Sequence, residues 1–148
     1  MTKIRSLTVG DFEQWLEVYR FYGEHYDVSL TTSGIDTTWN WLMDPEQALN
    51  GLVAEVGGNL VGLAHYRAMP SPLRGKYIGF LDDIIVTPRE RGSKAATLLL
   101  AELKTIGHKQ GWDIIRWITK DNNYRARSFY DKFAFKTDWN MYEMELHN

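Results

Sequence analysis

Leu81-Asp82-Asp83-Ile84-Ile85-Val86-Thr87-Pro88-Arg89-Glu90-Arg91-Gly92-Ser93-Lys94-Ala95-Ala96 is the stretch on which the fold turns. The apolar run up to Val86 reads as a buried strand, and Pro88 stops it. Ala96, Leu99, Leu100, Leu103 and Ile106 then share one face of a helix over Ser93–Gln110, ended by Gly111. A strand that enters a helix through a short turn aims the helix's unbonded N–H groups and its positive end at one point, which suits a phosphate. Arg89, Arg91 and Lys94 add positive charge. Gly92, Ser93, Ala95 and Ala96 are small enough for a ligand to approach the backbone. An ordinary strand-to-helix turn with solvated charges would use similar residues, and one Gly alone does not define a phosphate loop.

The adjacent acids Asp82 and Asp83 are out of place in such a strand, because strands disfavour Asp. Simple alternation sends their side chains to opposite faces. If both faces are covered, at least one acid needs a partner or a cavity.

Outward from this segment, Lys3–Thr8 reads as a first strand. Asp11 opens an amphipathic helix carrying Phe12, Trp15, Leu16 and Tyr19 on one face. Ile35–Leu42 reads as a second helix, with a further helical turn at Pro45. Gly51–Val56 and Asn59–Ala68 flank Gly57-Gly58 as a hairpin. Met69–Arg74, with two Pro, reads as a loop and Tyr77–Val86 as the next strand. Asp113–Thr119 reads as a strand, Asn122–Phe133 as a helix and Phe135–Leu146 as one or two final strands. The hairpin implies antiparallel pairing, and the later strand–helix–strand unit implies a parallel crossover. The expected class is α/β (α+β). Its sheet is mixed, mostly antiparallel and twisted, with six or seven strands flanked by about four helices in a single domain over 1–148.

Composition narrows the function. With 148 residues, 44% hydrophobic, 24% charged and 14% aromatic, the chain has the material for one packed core. It has no Cys, which excludes disulfides and cysteine nucleophiles, and its four His show no metal-ligand spacing. A net charge of −2 argues against nucleic-acid binding through bulk charge. No apolar run reaches the ~20 residues of a membrane span, and Met1–Asp11 has no signal-peptide core. The expected compartment is the cytoplasm, with no membrane, nucleic-acid or metal partner.

A second segment carries chemistry. The strand Ile115–Thr119 leads through Lys120-Asp121-Asn122 to Asn123-Tyr124-Arg125-Ala126-Arg127-Ser128-Phe129-Tyr130-Asp131-Lys132-Phe133-Ala134-Phe135. Ala126, Phe129, Tyr130 and Phe133 share a helical face. Tyr130 is either a core tyrosine or a phenol directed into a site.

Together the two segments resemble the GNAT superfamily of acyl-CoA-dependent N-acetyltransferases. Val86, Pro88, Arg91, Gly92, Ala96, Leu99 and Leu100 follow its first signature. Asn123, Ala126, Tyr130, Lys132 and Phe135 follow its second. The pattern is closest to the subgroup of the yeast histone/polyamine acetyltransferase. It is specific over residues 80–135 and only architectural over residues 1–75. Two departures stand out: Lys94 and Ala134 each replace a Gly of the signatures.

The resemblance implies acetyl transfer from acetyl-CoA to a primary amine of a small molecule or peptide. It assigns the pantetheine arm to Ile84, Ile85 and Val86, and the pyrophosphate to Arg91, Gly92, Ser93, Lys94, Ala95 and Ala96. Further cofactor contacts fall to Asn123, Arg127 and Tyr130. Tyr130 is the implied proton donor to the sulfur. Asp82 and Asp83 are the candidate acids for the amine, Asp82 being favoured by its match to a carboxylate of polyamine acetyltransferases. Tyr19, Tyr22, His25, Tyr26 and the Trp39–Trp41 segment are candidates for the acceptor side, where core packing is the plainer role for each. The subgroup also implies a homodimer involving strands such as Trp139–Leu146. The competing expectations are a non-catalytic acyl-CoA-binding or sensor domain, favoured by Lys94, and an unrelated nucleotide-binding module.

Overall fold

A computed structural model describes residues 1–25, 28–90 and 94–147, and His25 by its backbone alone, so the His25 side chain lies outside what is described. The chain divides into two compact units, Met1–Trp117 and Ile118–Asn148, each taken by itself.

The first unit holds a five-stranded sheet of β1 (Thr2–Ser6), β2 (Leu49–Val56), β3 (Asn59–Ser71), β4 (Lys76–Val86) and β5 (Ile115–Trp117), adjacent in that order. The first four strands are antiparallel, and β5 runs parallel to β4. The helices are α1 (Phe12–His25), α2 (Thr32–Met43) and α3 (Ala95–Gln110), and the second unit contains α4 (Tyr124–Tyr130).

Gly57 and Gly58 close the β2–β3 hairpin with φ of 58° and 83°, the positive pair that a two-residue turn of this hand requires. Met69–Ser71 is strand rather than the expected loop. The β3–β4 ladder continues through Met69↔Ile78, Pro70↔Tyr77 and Ser71↔Lys76. It turns at Gly75, whose φ is 65° and whose N–H donates to the Ser71 carbonyl at 2.8 Å. The expected helical turn at Pro45 is a single turn closed by Gln47 N–H donating to the Asp44 carbonyl at 3.0 Å.

The expectation of six or seven strands is corrected to five among the described residues. The missing strands are those expected over Phe135–Leu146. Their alternation, with Tyr142, Met144 and Leu146 against Glu143 and Glu145, shows only that one face is apolar. A strand also needs a neighbouring backbone for its N–H and C=O groups. Among the described residues this segment joins no ladder, and Trp139, Tyr142, Met144 and Leu146 are exposed.

Strand alternation in the first unit supplies two apolar faces. Val53, Leu63 and Ile85 share one face and form a core cluster with Trp15 and Val18 of α1 and Ile35 of α2. Leu52, Ala54 and Ala64 point the other way, toward α3 and its buried Leu99 and Leu103. Gly62 on that face admits Leu99, whose Cδ1 lies 3.5 Å from where a Cβ would sit.

The start of α1 is fixed by charge. The Arg5 guanidinium donates to Asp11 Oδ2 at 2.8 Å and Oδ1 at 2.9 Å, while the Thr8 N–H donates to Oδ2 at 2.8 Å. The Arg5 bonds lead in lowering the Asp11 pKa from 3.8 to about 2, against the opposing effect of burial. A carboxyl with a lowered folded-state pKa stabilises the fold above its unfolded pKa and loses that contribution as pH falls through the folded one. Asp11 therefore contributes on the order of 2 kcal/mol above about pH 4, fading toward pH 2. Asp11→Asn is expected to lower stability at pH 7 and to flatten the acid limb in that window. Urea titrations from pH 2 to 7 check it, and an unchanged acid limb would contradict it.

Candidate active site

The site begins with an irregularity in β4. His65 pairs with Asp83 and Tyr66 with Leu81, so Asp82 is an extra residue without a ladder partner. Such a bulge breaks the two-residue period. The expectation that Asp82 and Asp83 face opposite ways is thereby corrected. Asp83 shares its face with its pair partner His65, and Arg67 follows two residues on along β3. Arg67 Nε donates to both oxygens of Asp82, at 3.2 and 3.0 Å, and its guanidinium lies 4.8 Å from the Phe80 ring centroid. Both acids therefore stand on the α1 side of the sheet.

Asp83 has a different neighbour. His65 Nδ1 lies 2.8 Å from Asp83 Oδ2, and the indole N–H of Trp15 donates to His65 Nε2 at 2.9 Å. The imidazole is 1% exposed and the Asp83 side chain 17%. Tyr19, one turn along α1 from Trp15, packs edge-on to the His65 ring at 5.2 Å. Burial, then Asp83, then Asp82 raise its pKa to about 12, so it remains a neutral phenol through the ordinary pH range.

Beyond the acids, Ile84, Ile85 and Val86 pair on one edge with Ala64, Leu63 and Gly62. No strand pairs with their other edge among the described residues: the β4–β5 ladder covers only Gly79–Leu81. A 3₁₀ turn, Pro88–Glu90, then leads toward α3. The predicted Arg91, Gly92 and Ser93 lie outside the described residues. Lys94 is exposed at the N-cap of α3 with φ of −83°, which any residue adopts, so its conformation does not require the missing Gly. Ala95 is buried and Ala96 half-buried. Leu98 N–H is bonded to the Lys94 carbonyl at 2.8 Å, placing the start of the helix here. A strand edge with no partner strand, followed in sequence by a helix N-terminus, suits a long amide-bearing, phosphate-bearing ligand such as acetyl-CoA.

In the second unit, the Asn123 side chain accepts from the Ala126 N–H at 3.2 Å and caps α4. Arg127 donates to the Asp121 carbonyl at 2.7 Å. Tyr130 is half-buried, its ring 5.7 Å from that of Phe129. Of the acceptor-side candidates, Tyr19, Tyr22 and Trp39 pack against the α1 core cluster, Trp41 is largely exposed, and Tyr26 lies outside the described residues.

Residues 14–135 match the model of the Acetyltransferase (GNAT) family, and the chain belongs to that family. It is 25% identical over 142 residues to a D-amino-acid N-acetyltransferase of Saccharomyces cerevisiae, covering 95% of this chain and 88% of that one. Among solved structures, a ribosomal-protein-alanine N-acetyltransferase from Brucella melitensis biovar Abortus superposes with a TM-score of 0.82 at 23% identity, covering 99% of each chain. AAC(6')-Iy, in complex with the bisubstrate analogue CoA-S-monomethyl-acetylneamine, superposes with a TM-score of 0.84 at 16% identity over 100% of this chain and 99% of that one. Both likenesses speak to the fold.

His65, Arg67 and Trp15 were not singled out as site residues from sequence. A lone His and a helix Trp carry no motif. Only strand register brings His65 against Asp83, and only packing brings Trp15, fifty positions away, against His65.

Proposed function

We propose that the protein transfers an acetyl group from acetyl-CoA directly to a primary amine of a small molecule or peptide, within a ternary complex. The observation that carries this is the acidic β4 strand, with no partner strand on its edge at residues 84–86 among the described residues and followed in sequence by the α3 N-terminus, in a chain of the GNAT family. Acetyl-CoA supplies the acetyl group as an activated thioester. The backbone of residues 84–86, residues 91–93 and the start of α3 hold it, with Asn123 and Arg127 as further contacts.

The acceptor amine must lose a proton before it attacks. A lysine-like amine has a pKa near 10.4, so neutralising it at pH 7 costs about 4–5 kcal/mol. A carboxylate of pKa about 3.9 is too weak a base to do this alone, but it anchors the ammonium and relays the proton to water. Arg67 offsets the charge of Asp82, so the anchoring role moves from the favoured Asp82 to Asp83, with Asp82 and Arg67 shaping the same wall. Tyr130 delivers a proton to the departing sulfur. With a phenol near 10 and a thiol near 8.5, that transfer is uphill by about 2 kcal/mol, small enough when it accompanies bond breaking. The absence of Cys removes any acetyl-cysteine relay and favours direct transfer.

The experiment is acetyl-CoA-dependent thiol release over polyamines, amino acids of both hands, peptides and aminoglycosides. A non-catalytic acyl-CoA-binding domain would bind acetyl-CoA and release no thiol with any of them. The same proposal includes a homodimer through the exposed apolar residues of the segment 139–146. Sedimentation at low micromolar concentration is expected to show a dimer, and monomer alone would overturn that part.

A further inference from the structure

The bond from Trp15 to His65 has a chemical consequence. An indole N–H can only donate, so its 2.9 Å contact requires a lone pair on His65 Nε2. The ring proton then sits on Nδ1 and is donated to Asp83 Oδ2 at 2.8 Å. A doubly protonated ring would set an N–H against the indole N–H. Thus Asp83 receives a hydrogen bond from a neutral ring, not an ion pair, and keeps its whole negative charge. Among the described residues, the other charged and titratable groups on this face are Asp82, paired with Arg67, and the Tyr19 phenol.

We propose that Trp15 and His65 are positioning residues for Asp83: they lock the imidazole as its Nδ1–H tautomer, tie down Oδ2, and leave the carboxylate's charge and its Oδ1 for the acceptor's ammonium. This rests on the proposed acetyl transfer. The geometry makes the device stiff. The indole is fully buried and the ring 1% exposed, and the ring contacts Trp15 and Tyr19 at 5.9 and 5.2 Å. His65 also stands on a central strand, directly across the ladder from Asp83. The acceptor it suits is a cation, since an anionic or neutral nucleophile gains nothing from an uncompensated carboxylate.

Two measurements test it. Long-range ¹H–¹⁵N spectra of the wild-type protein at pH 7.5 report which ring nitrogen of His65 carries the proton. The expected signature is a protonated Nδ1 with a bare Nε2; a proton on Nε2 overturns the proposal without reference to activity. Trp15→Phe keeps a ring in the core and deletes the donor, and His65→Gln keeps an amide near Asp83. In both, KM for the amine is expected to rise about tenfold or more, the size of a lost charge-assisted bond, while KM for acetyl-CoA stays within about twofold. The melting temperature of each variant is measured alongside. Lower melting with an unchanged amine KM means a packing role only and overturns the proposal. Wild-type protein that releases no thiol with any amine instead counts against the acetyl-transfer reading itself, so the two failures are told apart.

Discussion

Tyr130→Phe is expected to lower kcat for amine acetylation by about 10²–10⁴-fold, with acetyl-CoA binding changed by no more than about threefold. The expected size follows from what the phenol does. Under the proposed role, the sulfur would depart as an anion without a donor, and a positioned general acid removes that cost. Phe keeps the ring that packs 5.7 Å from Phe129. Single-turnover rates, together with acetyl-CoA titration by calorimetry, separate the two effects. A variant with kcat within about threefold of wild type would remove Tyr130 from the mechanism.

The second large effect concerns stability. Trp15→Ala is expected to cost about 3–5 kcal/mol, as for other buried aromatics cut back to Ala. The indole is fully buried, with ring contacts to Tyr19 at 5.2 Å and Trp39 at 5.1 Å, and it supplies the partner of His65 Nε2. At roughly 2–4 °C per kcal/mol for a chain of this size, melting should fall by roughly 6–20 °C. Domains are stable by only about 5–15 kcal/mol, so the variant should sit close to the unfolding threshold. Trp15→Phe should lose much less. A fall below about 3 °C for Trp15→Ala would mean that α1 contributes little to the core.

Much of the frame was legible in the sequence where local chemistry decides. Gly57-Gly58 named its turn because glycine takes positive φ at no steric cost. The apolar spacing along α1 and α3 named their buried faces. The sequence also marked Asp82 and Asp83 as anomalies, but alternation misplaced them. A regular β3–β4 hairpin counted back from the turn at Gly75 pairs His65 with Asp82. The bulge shifts that partner to Asp83 and turns both acids to α1. No local signal announces a bulge made by an inserted Asp, because it is a property of the register between two strands, which one strand's pattern does not carry. The segment 135–146 failed for a related reason. Its alternation is genuine, but a ladder partner lies outside what one segment's pattern can report.

The most direct measurement is thiol release from acetyl-CoA by the wild-type protein, followed with each amine class in turn and with no amine. The cysteine-free chain adds no thiol background of its own. The expected result is release that depends on a cationic primary amine, is matched one-for-one by acetylated product, and shows intersecting initial-rate patterns of a ternary complex. Tight acetyl-CoA binding with no release above the amine-free rate across the whole panel would contradict it.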